Sequence, residues 1–321
     1  MYTVKIIIAI AVAFAAAVLL TSVEIPVLRK KQMGQNIREE GPKSHQVKAG
    51  TPSMGGVAII ISAALTAFII GGINIETAAM VIVMAAFGLV GFLDDFIKVI
   101  KHRNLGLTAW QKIVLQVAVT VWFMIGLHSL GLLSTSVMFP VAGMVDLGLA
   151  YYPIAFFGII FLVNAVNLTD GLDGLCTGVT FVSMLGYLLA GSLLGFVHVS
   201  LLAATTAGAC VGFLLWNFYP AKVFMGDTGS MFFGGMVTAL AFVMDRPELV
   251  LFFGIVYIWD AMTVVIQRIY FKATHGKRIF KMTPIHHAFE LRGWKEVKID
   301  GFFALIAAIG VAMGIFYICI A

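Results

Sequence analysis

Five aspartates stand in short polar segments between long apolar runs, and their types and spacing could do chemistry. Asp94 and Asp95 are adjacent in "GFLDDFIK", Asp227 lies in "FMGDTGS", and Asp170 and Asp173 are three residues apart in "NLTDGLDG". Adjacent carboxylates at a low-dielectric edge repel each other, so they are costly unless a cation neutralises them. Three carboxylates on neighbouring loops suit Mg²⁺, which binds a few carboxylates together with a substrate phosphate. We therefore predict a metal site formed by Asp94, Asp95 and Asp227.

Each of these acids also has an ordinary structural interpretation. Lys98 follows Asp94 by four residues and Asp95 by three, so the three could form an acid–lysine pair on a solvated helix end. Asp227 could cap the N-terminus of the next helix. The second pair of acids could belong to an Asx-rich turn, which explains one aspartate but hardly two. The occurrence of all five acids in neighbouring loops favours a functional site.

The turn "NLTDGLDG" and the segment "TPIHHAFE" offer groups for binding a substrate. The glycines of the turn allow a ligand to approach the backbone closely, and Asn167, Asp170 and Asp173 offer acceptors and an amide for a pyrimidine or a ribose. His286 and His287 could act as general acid or base, or donate hydrogen bonds to phosphate. We expect the apolar side chains that follow them, Phe289 and Trp294, to anchor this segment.

The elements that position these groups are membrane helices. The chain is 61% hydrophobic and 12% charged, with a mean hydropathy of +1.01, whereas about a quarter of the residues of a soluble domain are charged. We therefore predict one all-α polytopic membrane domain over residues 1–321, with about ten transmembrane helices and a short hairpin within 135–152. The predicted spans are apolar stretches near the length of roughly 17 to 25 residues that crosses a bilayer, at 4–23, 54–73, 76–93, 111–133, 150–167, 176–196, 198–217, 229–245, 248–270 and 301–320.

The basic residues predict the orientation of these spans. Nineteen of the 21 Lys and Arg residues follow the odd-numbered spans or lie at their edges, and only Lys5 and Arg246 fall on the other side. By the positive-inside rule the loops after odd-numbered spans are cytoplasmic and both termini are outside. The acids and histidines lie in these same loops, so the active site is predicted at the cytoplasmic face. The net charge of +5 fits basic loops against an anionic leaflet, and we expect no nucleic-acid partner.

Four blocks, "DDFIK", "NLTDGLDG", "NFYPAKVFMGDTGS" and "TPIHHAFE", resemble in sequence and order the signature blocks of bacterial phospho-N-acetylmuramoyl-pentapeptide transferases. The resemblance runs from about residue 34 to the C-terminus and implies ten helices in the bacterial cytoplasmic membrane. It implies transfer of phospho-MurNAc-pentapeptide from UDP-MurNAc-pentapeptide to undecaprenyl phosphate, with Mg²⁺, giving lipid I and UMP. We also expect contact with membrane lipid and a homodimer.

The same resemblance implies roles for individual residues. Asp227 is expected to bind the metal, Asp94 and Asp95 to lie beside metal and phosphates, and His286 to be an essential neighbour; Lys98, one helical turn after the paired acids, completes the predicted catalytic set. The family commonly shows three consecutive histidines, whereas the third position here is Ala288, which puts a role for a third imidazole in doubt. The residues implied on the uridine and diphosphate side are Lys48, Asn167, Asp170, Gly171, Leu172, Asp173, Asn217, Phe224 and His287.

Several alternatives stay open at the level of sequence. The lipid phosphate could attack directly, which we favour because its second pKa near ~6 leaves it largely ionised, or Asp94 could act as a covalent nucleophile. A sister enzyme that moves an N-acetylhexosamine-1-phosphate onto a polyprenyl phosphate would share the aspartate blocks. An ion-coupled transporter would place its acids near the bilayer midplane, where only Asp260 of the ninth span fits. We expect Asp260 to face a protein interior or a groove and not bare lipid.

Overall fold

The computed structural model describes residues 2–31, 33–34, 48, 50–101, 105–139 and 143–320. Three of the basic residues that predict the orientation, Arg38, Lys43 and Arg103, lie outside these ranges. The described chain forms helices, one antiparallel hairpin and a short 3-10 turn at Gly148–Ala150. The helices are α1 (Tyr2–Lys30), α2 (Gly56–Gly71), α3 (Ile75–Ile100), α4 (Ala109–Ser129), α5 (Tyr151–Thr169), α6 (Leu175–Leu194), α7 (Val197–Asn217), α8 (Gly226–Val243), α9 (Leu249–Phe253), α10 (Ile255–Ala273), α11 (Ile285–Glu290) and α12 (Glu296–Ile320).

Seven helices in the described ranges are long and apolar enough to cross a membrane by length and composition: α1, α3, α4, α5, α6, α7 and α12. These helices define a polytopic membrane protein. Helix α2 is apolar but has 16 residues, and the predicted eighth and ninth spans correspond to α8 and to α9 with α10. The count of ten spans and the outside location of both termini stay predictions.

Two local features can be compared directly with the sequence expectations. The hairpin is confirmed, because β1 (Ser136–Phe139) pairs antiparallel with β2 (Gly143–Asp146). The predicted continuous span at 248–270 is divided, because α9 ends at Phe253 and α10 begins at Ile255, with Gly254 between them. The hydroxyl of Ser183 donates a hydrogen bond to the Phe253 carbonyl at 2.7 Å, so a side chain of α6 satisfies a backbone group at the break. Hydropathy cannot reveal a break that a neighbouring helix stabilises.

Helix α8 lies at the centre of the fold, and its N-terminus meets α3. All residues of α8 from Thr228 to Val243 are buried, and α3 packs along its length. A Cβ placed on Gly91 of α3 would overlap the backbone carbonyl of Asp227, so only glycine permits the observed approach. Because Asp94 and Asp95 lie about one helical turn beyond Gly91, this close contact carries both carboxylates to the start of α8.

Candidate active site

The predicted metal ligands come together where α3 meets the N-terminus of α8. One carboxylate oxygen from each of Asp94, Asp95 and Asp227 lies within 4.8 Å of the other two, and we call these residues the acidic cluster. Asp94 and Asp95 are buried, while the side chain of Asp227 is 20% exposed and is the most open of the three. Three converging carboxylates are the donor set that suits a hard divalent cation.

Asp95 also joins α3 to α8. Its Oδ2 accepts hydrogen bonds from the Thr228 backbone N–H at 2.9 Å and from the Thr228 hydroxyl at 2.8 Å. An unsatisfied N–H in the first turn of α8 is therefore capped by a carboxylate from another helix. The alternative interpretation of Asp227 as the N-cap is wrong, because the N-cap residue is Met225 and makes no side-chain capping bond. The Asp227 carboxylate is turned toward the cluster and its lysines.

Lys98 connects all three acids. Its Nζ lies 2.6 Å from Asp94 Oδ2, 3.4 Å from Asp95 Oδ1 and 3.1 Å from Asp227 Oδ2. The local acid–lysine pairing considered from the sequence is present, but it is only part of the arrangement because Lys98 also reaches an acid on α8. One ammonium group thus offsets the repulsion among three carboxylates.

A second lysine, Lys112 at the start of α4, was missed by the sequence reasoning. Its Nζ lies 2.8 Å from Asp227 Oδ2 and 3.1 Å from Asn167 Oδ1. Asn167 in turn donates from Nδ2 to Asp227 Oδ1 at 2.9 Å and to Ser230 Oγ at 2.8 Å. The only signal in the sequence was the position of this lysine at the first turn of a span. The predicted residue Asn167 therefore belongs beside the acidic cluster and helps to fix Asp227.

The 170–173 turn forms a second charged group against α12. Lys48 Nζ lies 2.6 Å from Asp173 Oδ1 and 2.6 Å from Glu296 Oε2, and Asp173 Oδ2 accepts a hydrogen bond from the Ala221 backbone at 2.8 Å. Burial alone would lower the pKa of Lys48, but hydrogen bonds and charge from both carboxylates raise this pKa above its usual range. Lys48 is thus held as a cation. Glu296 also belongs to this charged group, although the sequence pattern did not indicate it.

Asp170, Gly171 and Leu172 complete this turn between α5 and α6. Burial raises the pKa of Asp170 well above its usual range, and the nearby carboxylates of Asp227, Asp95 and Asp173 raise it further. Leu172 is buried. A carboxyl group with a raised pKa is more readily protonated, so Asp170 can donate as well as accept a hydrogen bond.

Asn217 and Phe224 fix the loop that leads into α8. Asn217 Oδ1 accepts from the Thr177 hydroxyl at 2.8 Å, and its Nδ2 donates to the Val223 carbonyl at 3.0 Å. The Phe224 backbone N–H donates to the Pro52 carbonyl at 2.8 Å. These contacts position the loop, and a direct contact of Asn217 or Phe224 with a substrate stays a prediction.

Helix α11 presents two histidines, each held by a carboxylate. His286 Nδ1 lies 2.7 Å from Asp260 Oδ2, and both side chains are fully buried. His287 Nδ1 lies 2.7 Å from Glu290 Oε2. The expectation that Asp260 faces the protein interior is confirmed. Ala288 is buried in the hydrophobic core, so the position of the family's third histidine is an apolar packing site here.

Aromatic side chains anchor α11 as expected. The ring centroid of Phe289 lies 4.9 Å from that of Trp294 and 5.6 Å from that of Phe302 of α12. Trp259, next to Asp260 on α10, contacts Phe303 with the ring centroids 5.1 Å apart and the ring planes tilted by 32°. These contacts tie α10, α11 and α12 together and hold His286 beside the 170–173 turn.

Fold and site together define a class: a helical membrane protein whose helix ends carry an acidic cluster with two lysines, suited to chemistry on phosphate groups. Comparison with models of known protein families places the chain in the same class. The sequence model described as Glycosyl transferase family 4 matches residues 77–245, a range that contains both lysines and the whole acidic cluster. The phospho-N-acetylmuramoyl-pentapeptide-transferase signature 1 matches residues 48–60, beginning at Lys48.

Individual relatives narrow this class. The chain is 44% identical over 300 residues, 93% of each chain, to the phospho-N-acetylmuramoyl-pentapeptide-transferase of Clostridioides difficile strain 630. It is 41% identical over 291 residues, 89% of each chain, to the protein of that name from Halalkalibacterium halodurans, and 41% identical over 310 residues, 95% of each chain, to that of Listeria monocytogenes serotype 4b. The chain therefore belongs to the phospho-N-acetylmuramoyl-pentapeptide-transferase family.

Proposed function

We propose that this chain transfers phospho-MurNAc-pentapeptide from UDP-MurNAc-pentapeptide to undecaprenyl phosphate, giving lipid I and UMP for peptidoglycan synthesis. The observation that carries the proposal is the acidic cluster with Lys98 and Lys112, in a chain 41–44% identical to transferases of that name. The proposal includes a location in the bacterial cytoplasmic membrane, an active site facing the cytoplasm and a homodimer.

Mg²⁺ is the cofactor that we propose for the acidic cluster. Asp227 is the principal ligand, because its carboxylate is the most open of the three, and Asp94 and Asp95 stand beside it. When bound, Mg²⁺ screens the charge of a diphosphate and polarises its oxygens. Lys98 and Lys112 add positive charge beside Asp227, since both contact its Oδ2.

The proposed reaction is an in-line displacement at phosphorus. An oxygen of the lipid phosphate forms a bond to the β-phosphorus of the UDP-sugar, the bond from that phosphorus to the bridging oxygen breaks, and UMP leaves with the electron pair. Both reactants are anionic, so the site must supply positive charge along the reaction path. Lys98 and Lys112 are the side chains placed to donate to the phosphate oxygens.

The surroundings of Asp94 support direct attack over a covalent intermediate. Asp94 Oδ2 is paired with Lys98 at 2.6 Å, and Oδ1 accepts from the Leu107 backbone N–H at 2.9 Å. A carboxylate with both oxygens engaged and 4% exposure is suited to orienting Lys98. A covalent nucleophile needs one oxygen free to meet phosphorus.

Recognition of the donor is assigned to the 170–173 turn. Asp170 offers its carboxyl group to the nucleoside, and Asp173 takes part by holding, together with Glu296, the fixed cation Lys48 beside the turn. Asn167 spans the distance between this turn and the acidic cluster, because it lies at the end of α5 and contacts Asp227. Nucleoside and diphosphate would then bind side by side.

Release of UMP from two donors tests the proposal. The purified protein in lipid is supplied with undecaprenyl phosphate and either UDP-MurNAc-pentapeptide or UDP-GlcNAc. UMP is expected only with the first donor. Equal or faster release from UDP-GlcNAc would assign the chain to the sister N-acetylhexosamine-1-phosphate reaction.

A further inference from the structure

Asp260 and His286 form a buried pair between α10 and α11. The carboxylate contacts His286 twice: Oδ2 lies 2.7 Å from the ring Nδ1, and Oδ1 accepts from the His286 backbone N–H at 3.4 Å. Neither side chain is exposed. A carboxylate is an acceptor, so the ring nitrogen that faces it carries the proton. The pair thus sets both the ring orientation and the tautomer of His286.

The other ring nitrogen, Nε2, faces the 170–173 turn. It is buried and has no hydrogen-bond partner among the residues that the structure describes, and a Cβ placed on Gly171 would overlap it. Buried polar atoms in folded proteins are nearly always hydrogen-bonded, so an orphaned one calls for a partner that is supplied from elsewhere. Because Gly171 has no side chain, this nitrogen lies directly against the backbone of the turn where the donor is proposed to bind.

We infer that Asp260 is a positioning residue of the active site: by holding Nδ1–H of His286, it keeps Nε2 directed across Gly171 as a hydrogen-bonding group for the bound UDP precursor. The inference rests on the proposed function. It assigns to the acid inside α10 a role in the transfer reaction, exerted through the imidazole, and it makes Gly171 the residue that admits the ring.

A double-mutant cycle separates this role from simple packing. Asp260→Asn keeps the size of the side chain and removes its charge, and the loss of such an outer partner is expected to lower kcat about 10- to 100-fold. In a His286→Gln background the same substitution should change kcat by less than about twofold, because the group through which Asp260 acts is already gone. Thr263→Val is the matched control: it removes a buried hydroxyl that bonds the Asp260 carbonyl at 2.6 Å, and kcat should stay unchanged.

Three kinetic outcomes would overturn the inference. They are a kcat within twofold of wild type for Asp260→Asn, effects of the two substitutions that multiply, and a loss of activity in Thr263→Val equal to that in Asp260→Asn. Wild-type protein that releases no UMP counts against the proposed function, whereas active wild type with an unaffected Asp260→Asn variant counts against this inference alone.

A second measurement needs no substitution at Asp260 and stays decisive if that variant does not assemble. In ¹⁵N-histidine spectra, His286 is assigned by difference against His286→Gln. Nδ1 should be protonated in the free protein, and the Nε2 resonance should shift when UDP-MurNAc-pentapeptide is added. An unprotonated Nδ1, or an Nε2 chemical shift that does not change when the precursor is added, would contradict the inference.

Discussion

At the scale of single residues, the Asp227 carboxylate is the group that several polar side chains of the site contact. Lys98 and Lys112 both contact its Oδ2, and Asn167 donates to its Oδ1. The carboxylate makes no capping bond to α8, so its contacts serve the cluster and not the helix. Removal of its charge should therefore affect chemistry much more than folding.

Asp227→Asn tests this expectation. The amide cannot provide an anionic metal ligand and leaves Lys98 and Lys112 without their shared partner, so turnover should fall by at least about 10²-fold, while the melting temperature stays close to that of wild type. UMP release and a thermal unfolding curve on the same preparation measure both. Near-normal turnover with ordinary Mg²⁺ dependence would remove Asp227 from the metal site.

Lys112→Met tests the lysine that sequence reasoning missed. Methionine keeps the length of the side chain and removes the ammonium group, and a loss of about 10²-fold in kcat is expected if Lys112 donates in the transition state. Lys222→Met is the control, because Lys222 is an exposed lysine that lies over the Trp216 ring, 5.3 Å from its centroid, and contacts no acid of the cluster. Similar losses of kcat in the two variants would mean that Lys112 contributes only to the overall positive charge near the site and has no specific role in the transition state.

The residues that could be predicted share a feature that the missed ones lack. The predicted residues are carboxylates that interrupt apolar runs. Such a position costs free energy, so an acid found there usually has a function. These residues are Asp94, Asp95, Asp170, Asp173 and Asp227. Lys112 and Glu296 lie at the ends of spans, where charged residues are ordinary, and only the tertiary fold brings them to Asp227 and Lys48. Pairs more than a hundred residues apart leave no local pattern.

At the scale of elements, close helix contacts determine whether the carboxylates can meet. Helix α3 approaches the start of α8 because Gly91 has no side chain, and Asp95 then caps Thr228 across the contact. The metal site therefore depends on backbone separation as much as on the acids themselves.

Gly91→Ala measures that dependence. The added Cβ would overlap the Asp227 carbonyl, so the helices must separate, with an expected cost of about 1–3 kcal/mol and a clear loss of turnover. Gly126→Ala on α4 is the matched control, since nothing lies within 4 Å of a Cβ at that position. Thermal unfolding and UMP release should be unchanged in the control. A fully active and stable Gly91→Ala protein would show that α3 and α8 do not need this separation.

Most helices could be located from hydropathy, but their ends and breaks could not. Helix α3 continues past the apolar stretch, so that Asp94 and Asp95 lie within the helix and not in a loop after it. The predicted ninth span divides into α9 and α10 at Gly254. In both cases side-chain contacts with other helices decide where the backbone stays helical, and these contacts are invisible to a window average.

At the scale of the whole molecule, the functional groups gather where several helices end. The ends of α3 and α5 and the starts of α4, α6, α8 and α12 supply the acidic cluster, the lysines and the 170–173 turn. Separation of an apolar body from one polar face suits a reaction between a water-soluble nucleotide and a lipid phosphate. The distribution of Lys and Arg pointed to one face from sequence alone.

The most direct test of the account follows both products of the reaction. Purified protein in lipid is given UDP-MurNAc-pentapeptide and undecaprenyl phosphate, and UMP and lipid I are quantified before and after the divalent cation is removed by a chelator. We expect equal amounts of the two products, dependence on both substrates, loss of both products with the chelator and recovery with added Mg²⁺. UMP that forms without undecaprenyl phosphate, or product formation that survives removal of divalent cations, would contradict the proposed Mg²⁺-dependent transfer.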